Sequence, residues 1–298
     1  MSLQEAFHVP EPETQDGDGC PEKPGRRSAT AAEKWVSRFL DYTAGFGHKD
    51  PRYELKRIHT LGVLGYMNAL LQLEQIADED RQLADCARIA AVFHDIGRFE
   101  QLRQYGTFFD GKSTDHAALS VQVLRQTGLL DELDPVWRTR VLDAIAQHNR
   151  LTVSLQDPKA RLICNLVRDA DRLDILRVFA VDDIQDMTSF SAEQAVASPA
   201  TEAVARSILE GRCVNKQDRK APMDIWLTYL GFVNDFQFLS SYRLCKAAGF
   251  WRQRFDSVNC QDPAVLACLE HAEALLNEKC RRTETDSETD RGTSLSGV

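Results

Sequence analysis

Five short segments of the chain carry side chains that can bind a divalent metal ion. They read RIHTLG, FHDIGR, TDHAAL, AQHNR and RDADRLD. Imidazole nitrogens and carboxylate oxygens are both suitable ligands for such ions. The most informative part of the pattern is an adjacent His-Asp pair that is followed later by Asp-Arg. The six candidate ligands are His59, His94, Asp95, His116, His148 and Asp171.

The candidate ligands fall within the apolar stripes of predicted helices. His59 follows Leu55, and Asp171 follows Ile163 and Val167, at spacings that place side chains on one helix face. A buried polar group without a partner is costly, so the inward groups should meet one another or a cation. A single inward histidine is more often a hydrogen-bonded core residue. The joint occurrence in five segments favours one shared metal site.

Aspartate or serine followed by proline marks the predicted helix starts. The first residue offers a capping oxygen, and proline suits the first helical position. These pairs are Asp50-Pro51, Asp134-Pro135, Asp157-Pro158, Ser198-Pro199 and Asp262-Pro263. The later aromatic segment DIWLTYLGFVNDFQFLSSYRL reads as a buried helix, and alternating strand patterns are almost absent. The predicted fold is an all-α bundle with further C-terminal helices.

Composition predicts a folded middle and two tails. The chain has 298 residues and is 43% hydrophobic, which is ordinary for a globular protein. Residues 1–28 contain four of the ten prolines and few apolar residues, so they are predicted to be disordered, as are residues 281–298. Residues 29–280 are predicted to form one domain. Its metal-site core covers about 50–180, and a helical extension covers about 181–280.

The motifs resemble those of the HD-domain superfamily of metal-dependent phosphohydrolases. The signature of that superfamily is a helical His, a later His-Asp pair and a final Asp usually followed by Lys or Arg. In this chain the matching residues are His59, His94, Asp95, Asp171 and Arg172. The resemblance implies an all-α fold in which the first four of these residues hold a metal.

The resemblance covers roughly residues 50–180. It also includes the residues that would hold a second metal. His116 and His148 look like the extra histidines of two-metal subgroups, in which Asp95 would be the bridging carboxylate. The sequence from His148 onward reads HNRLTVS and lacks Gly-Tyr-Pro. This departure from the HD-GYP subgroup disfavours a cyclic-dinucleotide substrate. By the family pattern Asp169 and Asp174 would either support the ligands or pack between helices, although Asp174 shares the inward stripe and stays an alternative ligand.

Basic residues near the candidate ligands could bind a phosphate group. Arg98 lies one turn beyond the His-Asp pair, where its guanidinium could hold a phosphate oxygen, and the resemblance has Lys or Arg at this position. Arg172 and Lys112 are further candidates for substrate binding. Each of the three could instead be a solvated charge or part of an ion pair. The predicted catalytic residues are Asp95 and Arg98.

A site of this type predicts metal-dependent hydrolysis. The ligand set suits one or two ions of Mn, Fe, Co, Ni or Zn, and two such ions can activate a water and clamp the oxygens of a phosphoryl group. The predicted function is a phosphomonoesterase or phosphodiesterase acting on a nucleotide or another small phosphate ester. The alternatives are an HD-type di-iron oxygenase that cleaves a carbon bond, and a non-catalytic metal-stabilised regulator.

Charge and composition limit the partners. Lys and Arg number 36 against 45 Asp and Glu, and the formal charge of −9 disfavours nucleic acid as a partner. The expected partner is a small phosphorylated substrate, foremost a nucleotide, and a homo-oligomer is left open. No apolar run resembles a signal peptide or a membrane span, and the eight cysteines include no C-x-x-C pair. A cytoplasmic location without a membrane partner is therefore predicted.

Overall fold

The computed structural model describes residues 31–293 except 184, 186–187, 189 and 259, and every regular element in that part is a helix. The predicted all-α fold is confirmed. None of the described helices combines the length and the apolarity needed to cross a membrane. The α-helices are α1 (Ala31–Ala44), α2 (Pro51–Leu73), α3 (Ile76–Glu79), α4 (Arg81–Phe93), α5 (Gly97–Tyr105), α6 (His116–Thr127), α7 (Pro135–Gln147), α8 (Pro158–Val181), α9 (Ala192–Val196), α10 (Glu202–Leu209), α11 (Pro222–Leu230), α12 (Leu239–Ala248), α13 (Phe250–Ser257) and α14 (Pro263–Thr293). Short 3₁₀ helices cover Asp110–Lys112, Lys216–Asp218 and Gly231–Asp235.

Four of the five predicted proline starts are confirmed. Helices α2, α7, α8 and α14 each begin at the proline of an Asp-Pro pair. In each pair the aspartate carboxylate accepts a hydrogen bond from the backbone N–H two residues later, which satisfies a donor that the first helical turn leaves free. The donors are Arg52 N at 3.0 Å, Val136 N at 2.9 Å, Lys159 N at 2.8 Å and Ala264 N at 2.8 Å.

The fifth predicted start, Ser198-Pro199, is wrong. Helix α10 begins later, at Glu202, with Thr201 before it. The carboxylate of Asp224, on the neighbouring α11, accepts from the backbone N–H of Thr201 at 2.8 Å and from its hydroxyl at 2.6 Å. A residue distant in sequence therefore fixes this helix start.

The aromatic segment 224–244 is not one continuous helix. Helix α11 ends at Leu230, a 3₁₀ helix follows, and α12 begins at Leu239. The break is stabilised by Asp169 of α8, whose buried carboxylate accepts hydrogen bonds at the start of α12. The donors are Gln237 N at 2.8 Å, Phe238 N at 3.1 Å and Ser241 Oγ at 2.6 Å. Asp169 therefore has a packing role, as the family pattern implied.

Two apolar clusters form the interior. The first lies among α1, α2 and α4 to α8, with Phe39, Phe93 and Met67 fully buried. The second joins the C-terminal half of α8 to α9–α14 around Trp226 and Phe179, whose ring centroids lie 5.4 Å apart. Helix α8 contributes to both clusters, so it connects the two halves of the fold.

The predicted disordered tails fall partly outside the described residues. The N-terminal tail, residues 1–28, lies outside them altogether. At the other end, α14 continues past the predicted boundary at Cys280 to Thr293. The helix therefore enters the segment 281–298 that the sequence assigned to a disordered tail, and residues 294–298 lie outside the described part.

Candidate metal centre

His59 and Asp171 face each other from the middles of α2 and α8. His59 Nε2 lies 3.1 Å from Asp171 Oδ1. The two helices approach closely because Gly62 has no side chain: a Cβ at that position would lie 2.0 Å from Asp174 Oδ1. The sequence of α2 thus permits the contact that brings its histidine to the carboxylates of α8.

His94 and Asp95 reach the same point from the end of α4. The helix ends at Phe93, and the two residues follow directly. His94 Nε2 lies 3.5 Å from Asp171 Oδ1, and Asp95 Oδ2 lies 3.8 Å from His94 Nε2 and 3.9 Å from His59 Nε2. His59, His94, Asp95 and Asp171 therefore form a first ligand group.

His116 and His148 form a second ligand group with the other oxygen of Asp95. His116 is the first residue of α6, and His148 directly follows the last residue of α7. Their Nε2 atoms lie 3.3 Å apart. Asp95 Oδ1 is 3.6 Å from His116 Nε2 and 3.9 Å from His148 Nε2. One carboxylate oxygen of Asp95 thus faces the first ligand group, and the other faces the second. The structure brings all six predicted ligands together.

Each of the four histidines is held through its Nδ1 atom. In every case the partner is an oxygen that can only accept, so Nδ1–H donates and Nε2 faces the centre. The partners are Asp174 Oδ2 for His59 at 2.7 Å, Ala91 O for His94 at 2.8 Å, Asp110 Oδ2 for His116 at 2.8 Å and Ile145 O for His148 at 2.7 Å.

Asp174 supports His59. Besides accepting from the imidazole, its two oxygens accept from Arg177 at 2.7 and 3.0 Å. The carboxylate is fully buried, and both of its oxygens are engaged. The alternative of Asp174 as a ligand in place of Asp171 is therefore disfavoured by its contacts.

The centre contains buried polar atoms that lack hydrogen-bond partners. They are His59 Nε2, His94 Nε2 and Asp95 Oδ1. Leaving such atoms unpaired costs about 1–3 kcal/mol each, whereas cations in the two ligand groups would bind them: the two histidine nitrogens in the first group and Asp95 Oδ1 in the second. The C-terminal ends of α4 and α7 also point their partial negative charge toward the centre, which favours a cation. The residues present therefore fit a divalent metal ion.

Charge inside the cluster keeps its carboxylates ionised. Burial alone would raise the pKa of Asp95, but Lys56, Arg98 and the neighbouring imidazoles hold it well below its usual range. Burial and Lys56 lower the pKa of His59, yet the carboxylates of Asp171 and Asp174, which lie 3.1 and 2.7 Å from its ring nitrogens, outweigh them and raise it.

Lys56 is a site residue that the sequence analysis missed. It lies one turn before His59 on α2, and its Nζ is 2.7 Å from Asp95 Oδ2. Its side chain is 14% exposed, so the ammonium is largely withdrawn from water. The available signal was its spacing of three residues from His59, which places both side chains on one helix face.

Arg98 lies beside the second ligand group. Its Nε is 3.4 Å from Asp95 Oδ1. Its Nη1 donates to Phe108 O at 2.6 Å and to Asp110 Oδ1 at 3.0 Å, so it also connects the cluster to the loop after α5. Asp110 in turn accepts from His116.

The other two predicted phosphate-binding residues have different surroundings. Arg172 donates to the backbone oxygen of Asp235 at 2.6 Å and to Oδ2 of the same residue at 2.5 Å. Lys112 is exposed in the 3₁₀ helix after α5. Among the described contacts of the three candidates, that of Arg98 with Asp95 is the one that reaches a predicted ligand.

A cavity of about 330 Å³ lies next to the second ligand group. Two of its lining residues, Asn149 and Arg150, follow His148 in the chain, and Asp110 is bonded to His116. Lys216 reaches it from the C-terminal half. Its volume is at the lower end of the range for small-molecule sites.

The family model of the HD domain matches residues 57–176. The matched segment contains all six candidate ligands and Arg98 but ends before the helices from α9 onward. No curated protein and no solved structure matches the chain. The resemblance seen in the motifs is therefore confirmed over this segment.

Proposed function

We propose, from the premise that residues 57–176 form an HD domain, that this chain is a metal-dependent phosphohydrolase acting on a nucleotide or another small phosphate ester. The HD domain is that of a superfamily of metal-dependent hydrolases. The observation that carries the proposal is the position of Asp95, whose two oxygens face two ligand groups. Such a centre suits in-line displacement at phosphorus.

The protein's part in this reaction is to hold the centre in shape. Bound divalent ions would supply Lewis-acid chemistry, polarising a phosphoryl oxygen and lowering the pKa of a water. The acceptors at each Nδ1 keep the four imidazoles oriented. Burial lowers the pKa of His148 to about 3, so this ligand is neutral and ready to bind a cation at neutral pH.

Lys56 and Arg98 support a phosphate substrate. They approach opposite oxygens of Asp95, with Lys56 Nζ beside Oδ2 and Arg98 Nε beside Oδ1. Arg98 Nε is buried and lacks a hydrogen-bond partner, so it is a donor in need of an acceptor. A phosphoryl group bound next to Asp95 would receive charge-assisted hydrogen bonds from both side chains.

The cavity beside the second group supports a small substrate with a ring. The exposed ring of Phe109 packs against the position of Gly111, which lines the cavity. A nucleobase could stack on that ring while its phosphate reaches the ligands. Arg150 and Lys216 line the same cavity, where they lie 2.9 Å from Asp115 and 4.0 Å from Asp110, so its lining holds both positive and negative side chains.

The proposal is tested by metal analysis followed by a screen of phosphate esters. Protein supplied with Mn²⁺ or Fe²⁺ should retain one or two ions per chain and release phosphate or a nucleotide product from at least one substrate. Asp95→Ala should abolish turnover and weaken metal binding. Asp85→Ala, which removes a carboxylate at the surface of the same helix α4, should leave both unchanged.

Two results would contradict the proposal. A chain that binds no metal has no such centre. A metal-loaded chain that hydrolyses no phosphate ester but consumes dioxygen would favour the oxygenase alternative.

A further inference from the structure

A buried ion-pair group connects α8 to the C-terminal half. Arg168 and Arg172, one turn apart on α8, are both buried. Both donate to the same carboxylate oxygen, Oδ2 of Asp235, at 2.8 and 2.5 Å. Asp235 belongs to the 3₁₀ helix after α11, outside the segment that matches the HD domain.

The far side of Arg168 holds the end of helix α7. Its Nη1 donates to the backbone oxygen of His148 at 3.4 Å and to that of Arg150. The last carbonyls of a helix have no partner within the helix, and an arginine can bind them. Arg168 thus bridges Asp235 and the turn that carries the second-group ligand His148.

We infer that Asp235 is a positioning residue for the second metal site, acting through Arg168 on His148. This inference rests on the proposed two-metal centre. The Nε of Arg168 has no partner, so Asp235 and the two carbonyls are the hydrogen-bonded contacts that orient this guanidinium. Loss of the carboxylate would leave two buried cations facing each other without their shared anion.

The effect would reach the imidazole through the helix end. His148 Nδ1 donates to Ile145 O, so the ring is fixed to the last turn of α7 and moves with it. A metal ligand must be held within about 0.5 Å of its productive position, so a small shift of this turn is enough to weaken binding. The first group contains no residue from this turn, and it should keep its ion.

The test is a metal titration of Asp235→Asn in the full chain. Equilibrium dialysis with Mn²⁺ should show a first ion bound with the wild-type Kd and a second ion bound at least 10-fold more weakly. Asp256→Asn is the matched control, because it removes a carboxylate that pairs with Arg252 at the surface of the same half. An Asp235→Asn protein that binds both ions with wild-type affinity would overturn the inference.

A second measurement tests the inference in the wild-type chain, in case Asp235→Asn does not fold. Coupling is reciprocal, so filling the second site of the wild-type chain with Mn²⁺ should slow hydrogen exchange in residues 231–238. His148→Ala should lack that response. Unchanged exchange in the wild-type chain at full occupancy would overturn the inference. A wild-type chain that saturates at one ion would refute the two-metal centre itself, which is a different outcome.

Discussion

At the scale of single residues, Asp95 is shared between the candidate metal sites and two side-chain cations. Lys56 Nζ contacts the oxygen that faces the first ligand group, and Arg98 Nε lies near the oxygen that faces the second. A bound metal ion must share these oxygens with both cations. Lys56 should therefore weaken metal binding somewhat while it strengthens binding of an anionic substrate.

The variant Lys56→Met separates these two effects. Methionine keeps most of the side-chain length and removes the charge, so metal affinity should stay the same or increase. The kcat/KM for a phosphate ester should fall about 10- to 100-fold, since a hydrogen bond to a charged group contributes about 1.5–3 kcal/mol. Steady-state kinetics and metal titration of the same preparation measure kcat/KM and metal affinity.

Lys159→Met is the control, because it removes a lysine from a surface ion pair with Asp80. An unchanged kcat/KM in Lys56→Met would exclude a contact between Lys56 and the substrate.

Buried His148 should make the stability of the metal-free protein depend on pH. Burial, with the neighbouring His116 and His94, lowers the pKa of His148 from 6.5 to about 3. Between these values the unfolded chain binds a proton that the folded chain does not, so the free energy of unfolding falls as pH falls below 6.5. One such proton contributes about 1.4 kcal/mol per pH unit.

Denaturant unfolding of chelator-treated protein between pH 5 and pH 7.5 measures this slope. His148→Gln should flatten it, and His48→Gln, which changes an exposed histidine, should keep the wild-type slope. Equal slopes in all three proteins would mean that His148 takes up its proton in the folded state as readily as in the unfolded chain.

The residue types of the centre were easier to predict than its electrostatics. Divalent metals accept few kinds of ligand, so inward His and Asp at helical spacing narrowed the candidates to the six that the structure brings together. The residue type of Lys56 did not point to the site in this way, because lysines are common on helix surfaces. Only the packing of α2 against the end of α4 places its ammonium on Asp95. Arg172 was predicted to bind the substrate because it follows Asp171 in the chain. Asp171 faces the centre, but the guanidinium of Arg172 binds Asp235 instead.

At the scale of elements, the ligands lie mostly at helix ends. The predicted position within an apolar stripe of a helix fits His59 and Asp171. His94 and His148 instead follow the last residues of α4 and α7, and His116 opens α6. At a helix end the carbonyl three residues back is free to accept from Nδ1, which orients the ring without another side chain.

The close approach of α2 and α8 can be tested with two glycines of one helix. A Cβ at Gly62 would collide with the Asp174 carboxylate, which orients His59, whereas a Cβ at Gly65 would meet nothing within 4 Å. Gly62→Ala should lose about 1–3 kcal/mol of stability through overpacking and bind the first metal ion more weakly. Gly65→Ala should gain up to about 1 kcal/mol from helix propensity.

Denaturant unfolding and metal titration of both variants check this prediction. Equal behaviour of the two variants would show that Asp174 can move aside without cost and that its contact with His59 does not matter for metal binding.

Helix starts were predictable where the capping group is local. Each Asp-Pro pair contains its own capping carboxylate, so four starts could be read from two residues. Ser198-Pro199 failed because Asp224, from another helix, fixes the start at Thr201. The break before α12 depends likewise on Asp169. Tertiary contacts of this kind are invisible to local sequence patterns.

At the scale of the whole molecule, metal binding should stabilise the entire chain. The ligands come from α2, α6, α8 and the ends of α4 and α7, so the native centre exists only when these helices are packed. An ion at 100 times its Kd adds about 2.7 kcal/mol to the free energy of unfolding. For a domain of this size that corresponds to a rise in Tm of roughly 5–10 °C.

Thermal unfolding of chelator-treated protein, with and without added Mn²⁺, measures this shift. Asp95→Ala should show little of it, because it removes the carboxylate common to both ligand groups. A Tm that does not respond to any of the five candidate metals would contradict the assignment of the centre.

The distribution of the ligands along the chain sets when the centre can form during synthesis. His59 is made first and Asp171 last, 112 residues later (171 − 59). At about 10 residues per second, on the order of ten seconds pass before the first ligand group is complete. Asp235, which holds Arg168, follows later still. A chain that stops before α8 therefore lacks Asp171, and capture of an ion by the first ligand group marks a protein whose translation has passed that residue.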